Sequence, residues 1–275
     1  MPDLSYLPPL RDVIARYDLR TRKSLGQHFL CDLNLTRCIA EAAGDLSGCA
    51  VFEIGSGPGG LTRALVESSA ARVIAVEKDP RCVAALEDLV VASQGKLQII
   101  AGDAIKTDLA SLASAPRAIV ANLPYNIGTE LLLGWLREIN AYQSLTLMFQ
   151  SEVVDRLCAV PGSKAYGRLS IIAQFCCTVQ RVLDVPAAAF TPPPKVDSAV
   201  AHLTPRPDRP KDVDFAVMEK VTAFAFGQRR KMLRSSLKPL GGEELLLRAG
   251  IDPTLRAETL SLTQFETLAR LVSHP

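Results

Sequence analysis

No apolar stretch of this 275-residue chain approaches the roughly 18 residues that a membrane-crossing helix requires. The first twenty residues carry Asp3, Asp12 and Asp18, so they suit neither a secretory leader nor an acid-poor transit peptide, and the expected location is the cytoplasm. Histidine is scarce. His28, His202 and His274 lie far apart, and the seven cysteines (31, 38, 49, 82, 158, 176 and 177) include no C-x-x-C pair. Neither a zinc cage nor a disulfide framework is therefore encoded; no metal is expected, and the cysteines read as small hydrophobes in a reducing compartment. Net charge is also small: +2 is too little to demonstrate a polyanionic partner by itself. With 48% hydrophobic and 22% charged residues, the composition is that of an ordinary globular protein and excludes a disordered or collagen-like chain. At about one domain per 150 residues, the length fits one large domain, or a medium one with a small companion.

Organisation must be read from periodicity, since no internal repeat or low-complexity tract is visible. Residues 1–23 look like a short helical lead-in broken by Pro8 and Pro9. From about 31 to 205, strand-like apolar runs (49–54, 72–76, 97–101, 118–122, 144–149) alternate with amphipathic segments (61–67, 82–91, 131–139). Apolar runs separated by helices predict a parallel sheet covered on both faces, an α/β doubly wound domain over residues 1–205. Pro205, Pro207 and Pro210 then interrupt a charged stretch that suits a linker. Beyond it, 213–226, 228–237, 243–249 and 263–272 have helical spacing, with Gly241 and Gly242 as breaks, so residues 206–275 are expected to form a small all-helical domain. Charge is uneven along this frame. Residues 156–183 carry Arg156, Lys164, Arg168 and Arg181 without an acid, and 228–238 carry Arg229, Arg230, Lys231, Arg234 and Lys238, again without one. These are either solvated faces or a footprint for a polyanion.

The sharpest local feature is Val51-Phe52-Glu53-Ile54-Gly55-Ser56-Gly57-Pro58-Gly59-Gly60, a buried strand entering a glycine-rich turn before a helix. Such a turn brings a ligand close to the backbone beside the positive end of a helix. Gly55, Gly57 and Gly60 also satisfy G-x-G-x-x-G, which dinucleotide dehydrogenases share. Glu77, 22 residues after Gly55 at the end of the next strand, is placed to accept hydrogen bonds from both ribose hydroxyls of a nucleoside ligand. That position serves NAD and S-adenosylmethionine equally. Asp103 follows the third strand, where a carboxylate can accept from an adenine amino group.

The fourth strand separates the two cofactors. It ends in Asn122-Leu123-Pro124-Tyr125-Asn126-Ile127, for which hydride transfer has no use. An enzyme acting on the exocyclic nitrogen of a base does use it. That nitrogen is a poor nucleophile because its lone pair is delocalised into the ring. Two acceptors, the Asn122 side-chain oxygen and the Leu123 carbonyl, would bind its hydrogens and favour a pyramidal, reactive geometry. Pro124 biases Leu123 toward an extended conformation, and Tyr125 would stack on the base.

These residues resemble a family, the small-subunit ribosomal RNA adenine N6,N6-dimethyltransferases of the KsgA type, and the resemblance spans nearly the whole chain. In the family's order, it is carried by Lys23-Ser24-Leu25-Gly26-Gln27-His28-Phe29-Leu30, Glu53 to Gly59, Asn122 to Tyr125, Phe149-Gln150-Ser151-Glu152-Val153, Tyr166-Gly167-Arg168-Leu169-Ser170, Phe190-Thr191-Pro192-Pro193-Pro194-Lys195-Val196-Asp197-Ser198, and Phe226-Gly227-Gln228-Arg229-Arg230-Lys231. It implies a Rossmann-like methyltransferase domain and a C-terminal helical domain that binds ribosomal RNA. The implied reaction is transfer of methyl groups from S-adenosyl-L-methionine to two adjacent adenosines in a hairpin near the 3′ end of 16S ribosomal RNA, each methylated twice, during assembly of the 30S particle.

By the same resemblance Gln27, His28, Leu30, Glu53, Gly55, Gly57, Glu77, Lys78, Asp103, Ala104 and Asn122 would hold the cofactor. Asn122, Leu123, Pro124, Tyr125 and Phe190 would form the catalytic pocket, with Phe190 on the face of the base opposite Tyr125, and Arg168, Lys195, Arg229, Arg230, Lys231 and Arg234 would contact RNA. His28 stands where many members carry Asn, which leaves open whether its cofactor contact runs through the ring or the backbone. The chain is expected to act as a monomer, with the immature 30S particle as partner and without membrane or metal. The related large-subunit enzymes that confer antibiotic resistance usually read Asn-Ile-Pro and lack the Gln-Arg-Arg-Lys run, whereas this chain has Asn122-Leu123-Pro124 and Gln228 to Lys231. A non-catalytic assembly factor and an NAD oxidoreductase remain the readings from other classes.

Overall fold

The structure, a computed structural model, describes residues 2–20 and 27–273, so Lys23 to Gly26 of the first motif lie outside the described residues. The chain forms two compact units: Met1–Val154 with Gln180–Thr204, and Asp155–Val179 with Pro205–Pro275.

In the first unit, α1 (Leu10–Arg16) starts directly after Pro8 and Pro9, and β1 (Phe29–Leu30) and α2 (Leu33–Glu41) follow. Asp32 caps α2 by accepting from the amides of Asn34 and Leu35. Then come β2 (Ala50–Ile54), α3 (Gly60–Glu67), β3 (Arg72–Glu77), α4 (Pro80–Ala85), α5 (Glu87–Ala92), β4 (Leu97–Ala101), β5 (Arg117–Asn122), α6 (Gly128–Arg137) and β6 (Ser144–Gln150). The chain passes between the units within α7 (Ser151–Leu157), and α8 (Arg168–Cys176) leads into β7 (Cys177–Val185), β8 (Phe190–Thr191) and β9 (Ser198–Pro205).

The main sheet has the order β4-β3-β2-β5-β6-β9-β7. Its first five strands are parallel, and every residue of β2 is buried, as the continuous apolar runs predict. Chain order reverses at β2, which lies between β3 and β5, and ligands of such sheets bind at the carboxyl ends of the strands beside that switch point. The all-parallel expectation needs correction at one side. β9 runs antiparallel to β6, with Gln150 opposite Ser198, so the sheet is mixed and Ser198 is delivered to the carboxyl end of β6. A second small sheet pairs β1 with β8, Leu30 opposite Phe190.

The second unit gathers α8 with α9 (Phe215–Gly227), α10 (Leu233–Ser236), α11 (Gly242–Arg248) and α12 (Leu262–Ser273). Phe226 stacks on Phe265 at 5.8 Å and meets Tyr166 edge-on at 6.4 Å. A single cut at residue 205 is the sequence expectation; here Asp155–Val179 groups with the tail. The Tyr166 hydroxyl donates to the Leu260 carbonyl at 2.9 Å, and Arg206 donates to the Gln174 carbonyl while pairing with Glu266 at 2.9 Å, so the proline-rich stretch is pinned at its start. The helix expected over 228–237 also shrinks. Gln228 leaves helical geometry, the Lys231 amide closes a turn on the Gln228 carbonyl, and only Leu233–Ser236 is helical, which separates four like charges that a continuous helix would stack.

Gly60 shows how tightly the entry to α3 is built. A Cβ there would sit 2.4 Å from the Leu30 carbonyl oxygen, whereas one at Gly134 in α6 would meet nothing within 4 Å. Gly60→Ala should therefore lower stability by about 1–3 kcal/mol through overpacking, and Gly134→Ala should raise it by roughly 0.5–1 kcal/mol through helix propensity. Thermal unfolding of the two variants is the check: similar midpoints would contradict this account of the α3 entry.

Candidate active site

The carboxyl ends of β2, β3, β4 and β5 surround one cavity in the first unit. Its lining includes Gln27, His28, Leu30, Glu53, Gly55, Gly57, Glu77, Lys78, Asp103, Ala104, Asn122, Leu123, Pro124 and Tyr125, so fourteen residues expected from the sequence meet there.

Glu77 is the organising group. Only 6% exposed, it accepts from the Gly57 amide at 2.8 Å on one oxygen and from the Asp79 amide at 2.7 Å on the other. Burial pushes its carboxyl upward, and those backbone hydrogen bonds oppose the shift. Gly57 can offer its amide because its φ is +55°, a conformation L side chains rarely adopt. Each Glu77 oxygen keeps a second lone pair, the acceptor capacity a ribose diol needs.

Asp103 likewise has a local task. It accepts from Lys78 Nζ at 2.8 Å and from the Ile105 amide at 3.1 Å, and these contacts, the lysine first, hold its carboxyl below the usual range. Glu53 is 2% exposed, and desolvation, with a smaller push from Glu77, raises its pKa to about 8.

At the end of β5, the Asn122 amide nitrogen donates to the His28 carbonyl at 3.4 Å, which leaves the side-chain oxygen as an acceptor for another partner. The Tyr125 hydroxyl is held 2.7 Å from Ser198 Oγ. The His28 ring bonds through Nδ1 to the Pro192 carbonyl at 2.9 Å, stacks on Tyr125 at 5.5 Å, and meets Phe190 edge-on at 6.5 Å. Phe190 is not among the cavity's described lining: it is buried, 2% exposed, and its ring meets His28 edge-on.

Sequence reasoning missed the residues that hold others in place. Asp79, buried beside Arg81 and lowered to about 2 chiefly by that side chain, accepts from Gln27 at 3.2 Å. Pro192 and Ser198 do the same for His28 and Tyr125. A side-chain acid followed by proline at a strand end, Asp79-Pro80, is the one local signal that was available, since it caps α4.

Three carboxylates line the cavity, and Lys78, the only lysine or arginine among its described lining, is bound to one of them. A pyrophosphate would meet negative charge and a glycine-loop amide already committed to Glu77. A ligand with a ribose and a cationic end fits these donors and acceptors.

The same chemistry emerges from known proteins. A family model described as ribosomal RNA adenine dimethylase matches residues 18–273. The chain belongs to the ribosomal RNA adenine dimethylase family. It is 56% identical to the ribosomal RNA small subunit methyltransferase A of Mesorhizobium japonicum, over 97% of this chain and 98% of that one. The protein of that name from Paramagnetospirillum magneticum is 58% identical, over 96% and 94%. Among solved structures, a dimethyladenosine transferase from Plasmodium falciparum superposes with a TM-score of 0.77 at 26% identity, covering 88% of this chain and 96% of that one. The 23S ribosomal RNA methyltransferase ErmE shares the fold, with a TM-score of 0.68 at 24% identity over 90% and 100%. The family's cofactor is S-adenosylmethionine, and the acid-rich cavity of this dimethylase accommodates its ribose and its positive charge.

The residues expected to contact RNA fare differently. All six, Arg168, Lys195, Arg229, Arg230, Lys231 and Arg234, are exposed. Arg229 donates to Glu258 at 3.1 Å and to the carbonyls of Lys164 and Tyr166, and Arg168 pairs with Glu219 at 3.5 Å, so both serve the second unit internally. Among the described residues no cluster of three His, Cys, Asp or Glu side chains could hold a metal ion, and no helix is long and apolar enough to cross a membrane.

Replacing Glu77 by Ala removes the candidate ribose acceptor and the partner of two buried amides. Calorimetry should show cofactor affinity lower by at least about tenfold, from charge-assisted hydrogen bonds of about 1.5–3 kcal/mol, together with a lower unfolding midpoint. Unchanged affinity would remove Glu77 from the ligand site.

Proposed function

We propose that this family member dimethylates the exocyclic amines of two adjacent adenosines in a hairpin near the 3′ end of 16S ribosomal RNA, acting as a cytoplasmic monomer on the immature 30S particle. It is an S-adenosylmethionine-dependent ribosomal RNA adenine dimethyltransferase. The observation that carries the reading of its site is the Asn122 amide. With its nitrogen bonded to the His28 carbonyl, its oxygen is preset to accept an N–H from the target amine beside the Leu123 carbonyl, which precedes the rigid Pro124. Two acceptors on one amine draw its hydrogens out of the ring plane and free the lone pair for attack. Bound near Glu53, Glu77 and Asp103, S-adenosylmethionine would supply the methyl group from a positively charged sulfur that would keep the bonding pair. The methylated nitrogen then sheds a proton to solvent, so no strong base is required.

An adenine must leave its stack to reach this cavity, at a cost of a few kcal/mol. Tyr125, its hydroxyl anchored on Ser198, offers one aromatic face. In the present arrangement His28 covers that face and shields Phe190, so we assign the Phe190 stacking role to a state in which His28 has swung aside.

Asn122→Ala should lower single-turnover dimethylation by about 10²–10³-fold, the usual cost of removing one preorganised polar group, while binding to 30S particles persists. Mass analysis of the RNA reads this directly; near-normal dimethyladenosine would refute the catalytic assignment. For RNA binding, Arg230, Lys231 and Arg234 form one exposed group of candidates. Changing all three to Gln should reduce the slope of log affinity for 30S particles against log salt by roughly 0.7–0.9 for each phosphate that is no longer neutralised, and should leave cofactor affinity alone. An unaltered slope would make the cluster a solvated face.

A further inference from the structure

Glu53 sits within β2, a strand buried along its whole length, yet it lines the cavity. Its Oε2 has no hydrogen-bond partner among the described residues. A buried carboxylate without donors is costly to ionise, and Glu77 at the end of the neighbouring strand β3 adds like charge. The two acids differ in what they are given. Glu77 receives two backbone amides that oppose the upward push of burial, whereas among the described residues Glu53 has only the Thr62 hydroxyl of α3 nearby to favour its charged form. The other titratable groups on the cavity wall have partners of their own: Lys78 with Asp103, His28 with the Pro192 carbonyl, and Tyr125 with Ser198. Among the described residues, therefore, none neutralises an ionised Glu53. An incoming alkyl cation would.

We propose that Glu53 holds a proton in the free enzyme and surrenders it to solvent when the positively charged part of the cofactor enters, so that cofactor binding is proton-coupled and this acid reads ligand charge. The inference rests on the cofactor assignment above. The cation is either the sulfonium, which the demethylated product lacks, or the amino-acid ammonium, which it keeps. Below a pKa of about 8 for Glu53, each pH unit should change the cofactor affinity conferred by this group close to tenfold, rising with pH and levelling above it.

The test is titration calorimetry of the full chain at pH 7 in buffers of different ionisation enthalpy, with S-adenosylmethionine and with S-adenosylhomocysteine, for the wild type and Glu53→Gln. Protonation of the ligand's own amine is common to both proteins and cancels in the comparison. The wild type should release close to one proton more per S-adenosylmethionine bound than the variant, and this excess should vanish toward pH 9. Equal release with S-adenosylhomocysteine would assign the cation to the ammonium; release only with S-adenosylmethionine would assign it to the sulfonium. Identical proton counts in wild type and variant would overturn the proposal while leaving cofactor binding intact, whereas no binding by the wild type would overturn the cofactor reading itself. If the variant fails to fold, the wild-type series decides alone, and release that does not fall between pH 7 and pH 9 overturns the proposal.

Discussion

A buried carboxylate bonded by two backbone amides holds the catalytic unit in shape. Glu77 ends β3 and accepts from Gly57, in the turn after β2, and from Asp79, the cap of α4. Satisfying that acid fixes the turn in a left-handed conformation and sets the ends of two adjacent strands in register. It also draws inward an amide that phosphate-binding turns aim at their ligand. The glycine pattern shared with dinucleotide enzymes is thus turned to another use by a single hydrogen bond.

The field inside the cavity follows from the same arrangement. Glu53, Glu77 and Asp103 converge at the carboxyl ends of neighbouring parallel strands, and among the described residues only Asp103 has a lysine beside it. Burial and like charge raise both glutamates, while contact with Lys78 lowers Asp103. A site of this kind prefers a cation that brings its own hydrogen-bond donors. Across the cavity the surroundings become neutral: Asn122, Leu123 and Tyr125 carry acceptors and a ring, and no strong base is among them. Under the proposed function, charge would recognise the methyl donor and neutral dipoles the acceptor.

In the second unit some cations, exposed ones among them, also tie the fold together. Arg229 ties the 164–166 segment to Glu258, Arg206 ties the start of the tail to Glu266, and Arg168 pairs with Glu219. Arg230, Lys231 and Arg234 stay exposed. A run of basic residues is thus divided by tertiary contacts, with adjacent arginines serving different ends.

The features legible in the amino-acid order alone are those whose cause is local. Strand runs, the glycine turn, acids at strand ends and Asn122-Leu123-Pro124-Tyr125 each depend on neighbours a few residues away, and the structure collects all of them in one cavity. The resemblance of seven ordered motifs supplied the family. Tertiary structure alone decided the rest. Ser198 reaches Tyr125 across 73 positions, Pro192 reaches His28 across 164, and Asp79 reaches Gln27 across 52. Asp155–Val179 joins the tail because Tyr166 and Gln174 bond to it, and β9 turns the sheet mixed by returning beside β6. Whether Glu53 carries a proton depends on depth and on the lack of a partner among the described residues, and neither is written in the residues around it. Such properties come from groups brought together by long chain excursions, where the energy lies in burial and pairing rather than in any local pattern.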